Sequence, residues 1–303
     1  MKRGRFALAN MLLMTAGAVV AAPPLSVCMA EDNPPLSYQV KGEPRGLDVR
    51  VAQALADELQ RKLLVVPFES KYEQESTLTH EVNALLSSGV CDIASGFALF
   101  ASDLGPPSRP TAKAPDYPGA KRRPQRPWVQ LGTLIPTRAY EAMAMGLVVK
   151  DPARATMTLA EPGDARIGVV TGTLSGTVVS LYRNGKLRPQ LVSVARNLDS
   201  LEELEAGRFD ATLVPVAKLD AWRIAHPDTT LRRTAYVHPL RINIGFVALS
   251  ESAELVAAAD RVITRSIANG DLQRWAAEAG ATWVAPVEPQ VGATVGLAEL
   301  VRE

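Results

Sequence analysis

The feature that most constrains the fold is an alternation of short apolar runs with amphipathic stretches. In the first half, apolar runs at 25–29, 63–68 and 91–97 are separated by helical periodicity over 47–61 and 79–88. The order strand–helix–strand–helix–strand is typical of a parallel sheet with helices on its faces. The chain is therefore predicted to be an α/β protein.

The same alternation returns in the second half, so two lobes are predicted. Strands are expected at 166–170, 190–194, 210–215 and, as a crossing strand, 242–250; helices are expected at 176–182, after the capping pair Asp199 and Glu202, and at 216–225, 253–268 and 271–279. A chain of 303 residues suits two units of about 100–150 residues. The predicted division is lobe 1 over 24–102 and 246–283, crossing strands over 131–150 and 241–250, lobe 2 over 151–240, and a tail over 284–303.

The amino terminus is typical of a secretory signal peptide, predicted over 1–21. Lys2, Arg3 and Arg5 precede an apolar run, and small residues follow near Ala18 and Ala21. A retained membrane anchor is the alternative. Removing the three cations takes the formal net charge from +1 to −2, which gives no reason to expect nucleic acid as a partner. The predicted location is the periplasm.

The chain has two cysteines, Cys28 and Cys91. In an exported protein, two thiols most simply form one disulfide, and this one would close a loop of about 60 residues. Two separate buried thiols are the alternative. The three histidines show no spacing typical of metal ligands, so neither a metal nor a cofactor is expected.

Residues 103–130 form a proline-rich basic insertion, with seven prolines, six basic and two acidic residues. Regular structure is not expected there. An exposed cationic segment can steer a protein toward an acidic partner. The residues predicted to bind such a partner are Lys121, Arg122, Arg123 and Arg126; a solvated, variable loop is the alternative.

A glycine turn, "VTGTLSG", joins a predicted strand to a predicted helix at 170–176. Backbone N–H groups at a helix start can hold an anion, which predicts ligand contacts here. A plain tight turn is the alternative, and the serine lies one residue too late for a hydrolase nucleophile elbow. The predicted ligand-binding residues of this turn are Thr171, Gly172, Thr173 and Ser175.

A second set of candidates follows the first and third predicted strands. In open α/β sheets, ligands bind beyond the carboxyl ends of the strands. Ordinary loop chemistry is the alternative, because several of these residues are turn formers. The predicted ligand-binding residues of this set are Asp32, Asn33, Tyr38, Ser95, Gly96 and Phe97.

The segments "LSVCMAEDNPPLSYQVKGEPRGLDVRVAQALADEL", "LSSGVCDIASG", "RIGVVTGTLSGTVV", "LDSLEELEAGRFDATLV" and "IANGDLQRWAAEAG" occur in an order that resembles the family 3 periplasmic solute-binding proteins. The resemblance covers most of 25–283. It implies a two-lobed periplasmic binding protein fold, in which mostly parallel sheets flanked by helices close on a small ligand about hinge strands. It also implies a non-catalytic, monomeric protein that works with a membrane permease.

Two departures from the resemblance bear on the ligand. Amino-acid binders of that family clamp the ligand carboxylate with an arginine soon after the third strand, where this chain has Ser102 and Asp103, with Arg109 several residues late. They hold the ammonium with an aspartate at the position of Pro215. The expected ligand is therefore small and polar or anionic, and is not a standard α-amino acid.

Two other functions stay open. The cysteine pair and "TLTHEVNALLSSGVCD" resemble the accessory proteins of periplasmic quinoprotein (methanol or alcohol) dehydrogenase systems, whose partner would be the dehydrogenase or its cytochrome. A dehydratase of the cyclohexadienyl type on the same fold would need a buried acid–base pair at the cleft. Glu69, Lys71 and Glu73 are the nearest candidates, although a polar run of this kind is expected to be solvated.

Overall fold

The computed structural model of the protein describes residues 22–69 and 77–300. The predicted signal peptide, Lys71 and Glu73 lie outside these ranges. The strands of the described residues are β1 (Leu25–Ala30), β2 (Asp32–Asn33), β3 (Ser37–Val40), β4 (Glu43–Arg45), β5 (Leu63–Phe68), β6 (Ile93–Ala98), β7 (Thr111–Ala112), β8 (Val129–Gln130), β9 (Leu134–Val149), β10 (Ile167–Val170), β11 (Leu191–Val194), β12 (Ala211–Pro215) and β13 (Arg232–Leu249). The helices are α1 (Leu47–Glu58), α2 (Leu78–Ser87), α3 (Leu174–Gly185), α4 (Ser200–Glu205), α5 (Val216–Ala225), α6 (Ala253–Ala268), α7 (Asp271–Glu278) and α8 (Leu297–Leu300).

One eight-stranded sheet runs through both halves, in the order β11-β10-β12-β9-β13-β6-β1-β5. Strands β5, β1 and β6 are parallel to one another, as are β11, β10 and β12. The long strands β9 and β13 are antiparallel to each other and join the two groups. The α/β architecture predicted from the alternating pattern is therefore present.

Apolar side chains cover both faces of each parallel group. In lobe 1, one buried cluster includes Leu47, Val51 and Leu55 of α1 together with residues of α6 and α7, and another lies under α2. In lobe 2, buried clusters lie under α3 and under α4 and α5. Each group of parallel strands therefore has helices packed on both of its faces, as expected for two separate lobes.

Cys28 and Cys91 form a disulfide, with their Cα atoms 5.7 Å apart. The first and third strands of lobe 1 are neighbours, and Cys28 pairs in register with Ala94, three residues after Cys91. Both cysteines are buried in the cluster under α2. The predicted disulfide is thus present, and it fixes the start of β6 against β1.

Strand β13 begins at Arg232, ten residues before the strand predicted at 242–250. The prediction stopped short because Pro239 cannot donate a ladder hydrogen bond, and proline usually marks the end of a strand. Here the register of β13 against β9 shifts between Val237 and Arg241, and Pro239 lies inside that irregularity. A bulge accommodates the proline and lets the strand continue into lobe 2.

The segment 284–300, predicted as a tail, packs against the rest of the protein. Ala142 N donates to Val284 O, and Gly292 exchanges backbone hydrogen bonds with Leu99 and Ala101 of lobe 1. Leu300, in α8, is buried in the lobe 2 cluster under α3. The segment therefore crosses from one lobe to the other beside the long strands.

The insertion at 103–130 is more ordered than its composition predicts. Strands β7 and β8 pair antiparallel, and Ala112 and Ala114 are buried in the same apolar cluster as the two cysteines. The prolines limit regular pairing to two residues on each side, as expected when backbone donors are missing. The insertion is an irregular segment that packs on lobe 1 rather than an extended arm.

Candidate ligand-binding cleft

The carboxyl ends of the two parallel groups point at each other across the middle of β9. Ile244 of β13 is the register partner both of Ala98, the last residue of β6, and of Glu141 on β9. Pro215, the last residue of β12, is level with Met145. Glu141 and Met145 are four residues apart on β9, which corresponds to about 13 Å. The loops that follow β6 and β12 therefore face a common gap, and β9 and β13 form its floor.

A cavity of about 590 Å³ lies on the lobe 1 side of this gap and is called the lobe 1 cavity below. It is lined by Ala30, Glu31, Asp32, Asn33, Ser37, Asp48, Phe68, Glu69, Leu78, Val82, Ser95, Gly96 and Phe97. Five predicted ligand-binding residues, Asp32, Asn33, Ser95, Gly96 and Phe97, are among them. Tyr38 is not among them: it follows Ser37 on β3, and successive side chains of a strand point to opposite faces.

Asp48 is the most buried ionisable group of the lobe 1 cavity, at 1% exposure. Its oxygens accept hydrogen bonds of 2.8 Å from Ser95 Oγ and from Tyr140 Oη, and Gly96 N donates to Tyr140 Oη at 3.0 Å. Burial raises the pKa of the Asp48 carboxyl to about 6, against the opposing effect of the two hydrogen bonds. The carboxyl therefore titrates near neutral pH.

The start of α1 places Asp48 there. Gly46 precedes the helix with φ +119°, and a Cβ at this position would overlap the backbone of Pro35 and Leu36. Asp48 N donates to Leu36 O at 2.9 Å. A residue with a side chain could not make this close approach without strain, so the glycine sets the direction in which Asp48 enters lobe 1.

Glu141 is a second buried carboxyl and lies on β9 at the floor of the gap, with 6% exposure. Burial, and then the charge of Asp48, raise the pKa of Glu141 to about 8. Burial and the charges of Asp48 and Glu141 also raise the pKa of Tyr140 well above its ordinary value. At neutral pH Glu141 is therefore largely protonated, and it lies at the floor of the gap within reach of the charge of Asp48.

Neither carboxyl was among the residues predicted to bind a ligand. The available signals were Asp48 on the helix face that also carries Ala52 and Leu55, and Glu141 within the apolar run "AYEAMAMGLVV". Of the predicted acid–base candidates, Glu69 is exposed and lines the lobe 1 cavity. The structure thus offers a different pair of carboxyls from those suggested by the sequence.

The turn 171–175 of lobe 2, called the lobe 2 turn, follows β10 and begins α3. Thr173 Oγ1 accepts from Gly176 N at 3.1 Å and caps the helix. Gly172 has φ +77°, and a Cβ there would overlap the Arg196 guanidinium, whose Nε donates to Thr171 O at 3.0 Å. A cation therefore lies directly on the predicted anion-binding turn.

The lobe 2 turn does not line the lobe 1 cavity. Thr171 Oγ1 lies 3.4 Å from Ser193 Oγ, and Ser175 Oγ lies 3.4 Å from Thr173 Oγ1. The two predicted sets of ligand residues are thus on facing lobes and belong to separate surfaces in this structure. A ligand that touches both requires the lobes to approach one another.

The four predicted partner-binding residues differ in their surroundings. Lys121 and Arg122 are exposed, and the side chain of Arg123 lies outside what the structure describes. Arg126, with a side chain only 8% exposed, forms an ion pair with Asp116 and donates to the carbonyls of Lys121 and Ala114. These contacts hold the insertion together and support a structural role for Arg126, while its predicted role in partner binding stays a prediction.

Replacing Arg126 with alanine is expected to lower the free energy of unfolding by about 2 kcal/mol, because it removes several hydrogen bonds of a charged group. Urea denaturation at neutral pH measures the change. Arg122→Ala is the matched control, since Arg122 is exposed, and should change stability by less than about 0.5 kcal/mol. Equal stabilities of the two variants would contradict the structural role.

Within the described ranges, no cluster of three or more histidine, cysteine, aspartate or glutamate side chains could hold a metal ion. Nor is any helix within those ranges long and apolar enough to cross a membrane.

No protein-family model matches the sequence, and no curated protein matches it. Solved structures do share the fold. The L-cystine solute receptor of Neisseria gonorrhoeae, in an unliganded open conformation, matches with a TM-score of 0.59 and 16% identity over 86% of this chain and 94% of its own. An ancestral cationic amino acid solute-binding protein matches with a TM-score of 0.57 and 18% identity over 84% and 94%.

An amino acid ABC transporter substrate-binding protein from Streptococcus pneumoniae, bound to L-arginine, matches with a TM-score of 0.50 and 20% identity over 85% and 93%. Identities this low establish the fold alone. The chain has the two-lobed periplasmic binding protein fold, and its structural neighbours are amino acid substrate-binding proteins.

Proposed function

We propose that the protein is a non-catalytic periplasmic solute receptor whose two lobes close on a small polar or anionic ligand. The observation that carries the proposal is the register of the long strands. It sets the carboxyl ends of both parallel groups against one gap, with the lobe 1 cavity on one side and the lobe 2 turn on the other. Ligands of open α/β sheets bind at such ends.

The ligand is proposed not to be a standard α-amino acid, although the structural neighbours bind amino acids. Pro215 is the last residue of β12 and directly precedes α5, at the position where the resembling family carries an aspartate for the ammonium. After β6, Asp103 accepts a hydrogen bond from Thr79 Oγ1 at 3.1 Å, in the region where that family has an arginine. Neither of these two positions therefore carries the charge that the resembling family uses there to hold an amino acid.

An anionic group of the ligand is proposed to bind the lobe 2 turn. The start of α3 supplies backbone donors and the positive end of the helix dipole, and Arg196 adds a full charge beside Gly172. Ion pairs of this kind contribute more once closure removes water from them.

A screen of organic acids, amines and sugars tests the receptor function. Saturation at 100 times the dissociation constant is expected to stabilise the protein by about 2.7 kcal/mol, read as a rise in melting temperature, while small-angle scattering reports a smaller radius of gyration as the lobes close. Arg196→Gln should lower the affinity for an anionic ligand about tenfold. Arg188→Gln, at the far end of α3, is the control. A screen with neither stabilisation nor compaction would refute the receptor function.

One observation favours the accessory role in a quinoprotein dehydrogenase system as a second candidate. Trp128, in the insertion, is 64% exposed, and Lys113 Nζ lies 5.4 Å from the centre of its ring. Tryptophan is enriched at protein interfaces. In that role, a Trp128→Ala variant and a Lys121→Ala/Arg122→Ala variant should bind the acidic partner more weakly, the second mainly at low salt. Unchanged association would exclude it.

A further inference from the structure

The lobe 1 cavity has a one-sided charge. Four carboxyl-bearing residues line it, Glu31, Asp32, Asp48 and Glu69, and no lysine, arginine or histidine is among its described lining residues. Glu31, Asp32 and Glu69 are exposed at its edge, whereas Asp48 is buried at its inner end. Such a surface attracts cations and repels anions. The charge alone does not identify a site.

Ser37 is the independent observation that points to a ligand. Its side chain is 2% exposed and lines the same cavity, and its Oγ has no hydrogen-bond partner among the described residues. An unpaired buried hydroxyl costs about 1–3 kcal/mol. It is expected where a ligand or an ordered water completes the hydrogen bonding.

The remaining walls suit an alkyl chain with a charged end. Phe68 and Phe97 are each 4% exposed and line the cavity with Leu78 and Val82. Aromatic faces attract cations as well as alkyl groups. Each Asp48 oxygen already accepts one hydrogen bond, and a carboxylate oxygen can accept a second. Asp48 and Ser37 therefore each have unused capacity to accept a hydrogen bond from an ammonium group in the cavity.

We infer that the lobe 1 cavity binds an alkylammonium group of the ligand, with Ser37 and Asp48 as inner acceptors and Asp32 and Glu31 at its edge. The inference rests on the proposed receptor function. It reverses the charge pattern of the amino-acid binders that the sequence resembles, because lobe 1 here receives the cation and lobe 2 the anion. A ligand that satisfies both lobes carries an amine and an acid on separate carbons of a chain.

The test uses probes of matched length with the disulfide-bonded protein at pH 7.5: butylammonium, 4-aminobutanoate, butan-1-ol and butanoate, and the same series with six carbons. Isothermal titration should show that the ammonium-bearing probes bind at least tenfold more tightly than the alcohol or the carboxylate of equal length. Ser37→Ala and Asp32→Asn should each lower the affinity for the ammonium-bearing probes about fivefold or more. Glu43→Gln, an exposed residue of β4 outside the cavity, makes the same charge change as Asp32→Asn and should have no effect.

Ser37→Ala also separates binding from folding. Removing an unpaired buried hydroxyl should leave the unliganded protein as stable as before or more stable, whereas a purely structural serine would lose stability on the same change. Equal binding of ammonium and alcohol probes, or variants that behave like Glu43→Gln, would overturn the inference. If a neutral or purely anionic solute closes the lobes, the receptor function stands and the cation site fails; if no solute of any class binds, both fail.

Discussion

Glu141→Gln is expected to make the protein more stable than the wild type at pH 9 by about 5 kcal/mol, and to change its stability little at pH 5. Burial and the charge of Asp48 raise the pKa of Glu141 from 4.5 to about 8 in the folded protein. The folded state therefore holds a proton that the unfolded state releases between these values. The resulting stability is complete below pH 4.5 and is lost as the pH rises to 8, at about 1.4 kcal/mol per pH unit.

Urea denaturation at pH 5, 7 and 9 measures this difference. Burial raises the pKa of Asp48 to about 6, so this carboxyl causes a smaller loss of folding stability between about pH 4 and 6. The Glu141→Gln variant should show the same loss, because it retains Asp48. Glu43→Gln, on the exposed strand β4, is the control for net charge and should follow the wild type at all three pH values. Parallel stability curves for Glu141→Gln and the wild type would show that this carboxyl is ionised in the folded protein.

Loss of the disulfide is the second large expected effect. The bond joins residues 63 positions apart, and cross-linking a loop of this length is worth about 4 kcal/mol in the chain-entropy description. Reduction of the wild type should therefore lower the free energy of unfolding by about that amount. Denaturation with and without reductant measures it, because both samples keep the same buried sulfur atoms.

Cys28→Ala/Cys91→Ala, with and without reductant, is the control for other effects of the reductant. This variant should be insensitive to it and at least as destabilised as the reduced wild type. A reduced wild type with an unchanged midpoint would contradict a stabilising role of the bond.

The strands and helices were predictable because their apolar periodicity is local. The short apolar runs of β1 and β5 and the helical spacing of Leu47, Val51 and Leu55 depend only on neighbouring residues. The early start of β13 was not predictable, since proline ends strands in most settings and only the bulge against β9 accommodates Pro239. Pairing with a distant strand decided that element.

The site was predictable only where it follows strand ends. Asp32, Asn33, Ser95, Gly96 and Phe97 were expected near one another because parallel strands end at the same edge, and they line one cavity. Asp48 and Glu141 were missed because their significance depends on burial and on each other, which local composition does not reveal. The contacts of Arg126 were not predictable for a related reason, since a basic run suggests exposed cations and does not reveal that Arg126 is buried against Asp116.

The described residues begin in lobe 1 and, because of the course of 284–300, end in lobe 2. The first residues of β1 belong to lobe 1, whereas Leu300 packs into lobe 2 under α3. Fluorophores on cysteines introduced at the exposed positions 23 and 298 would consequently sit on opposite halves. Energy transfer between them would follow opening and closing in single molecules without any label inside the gap.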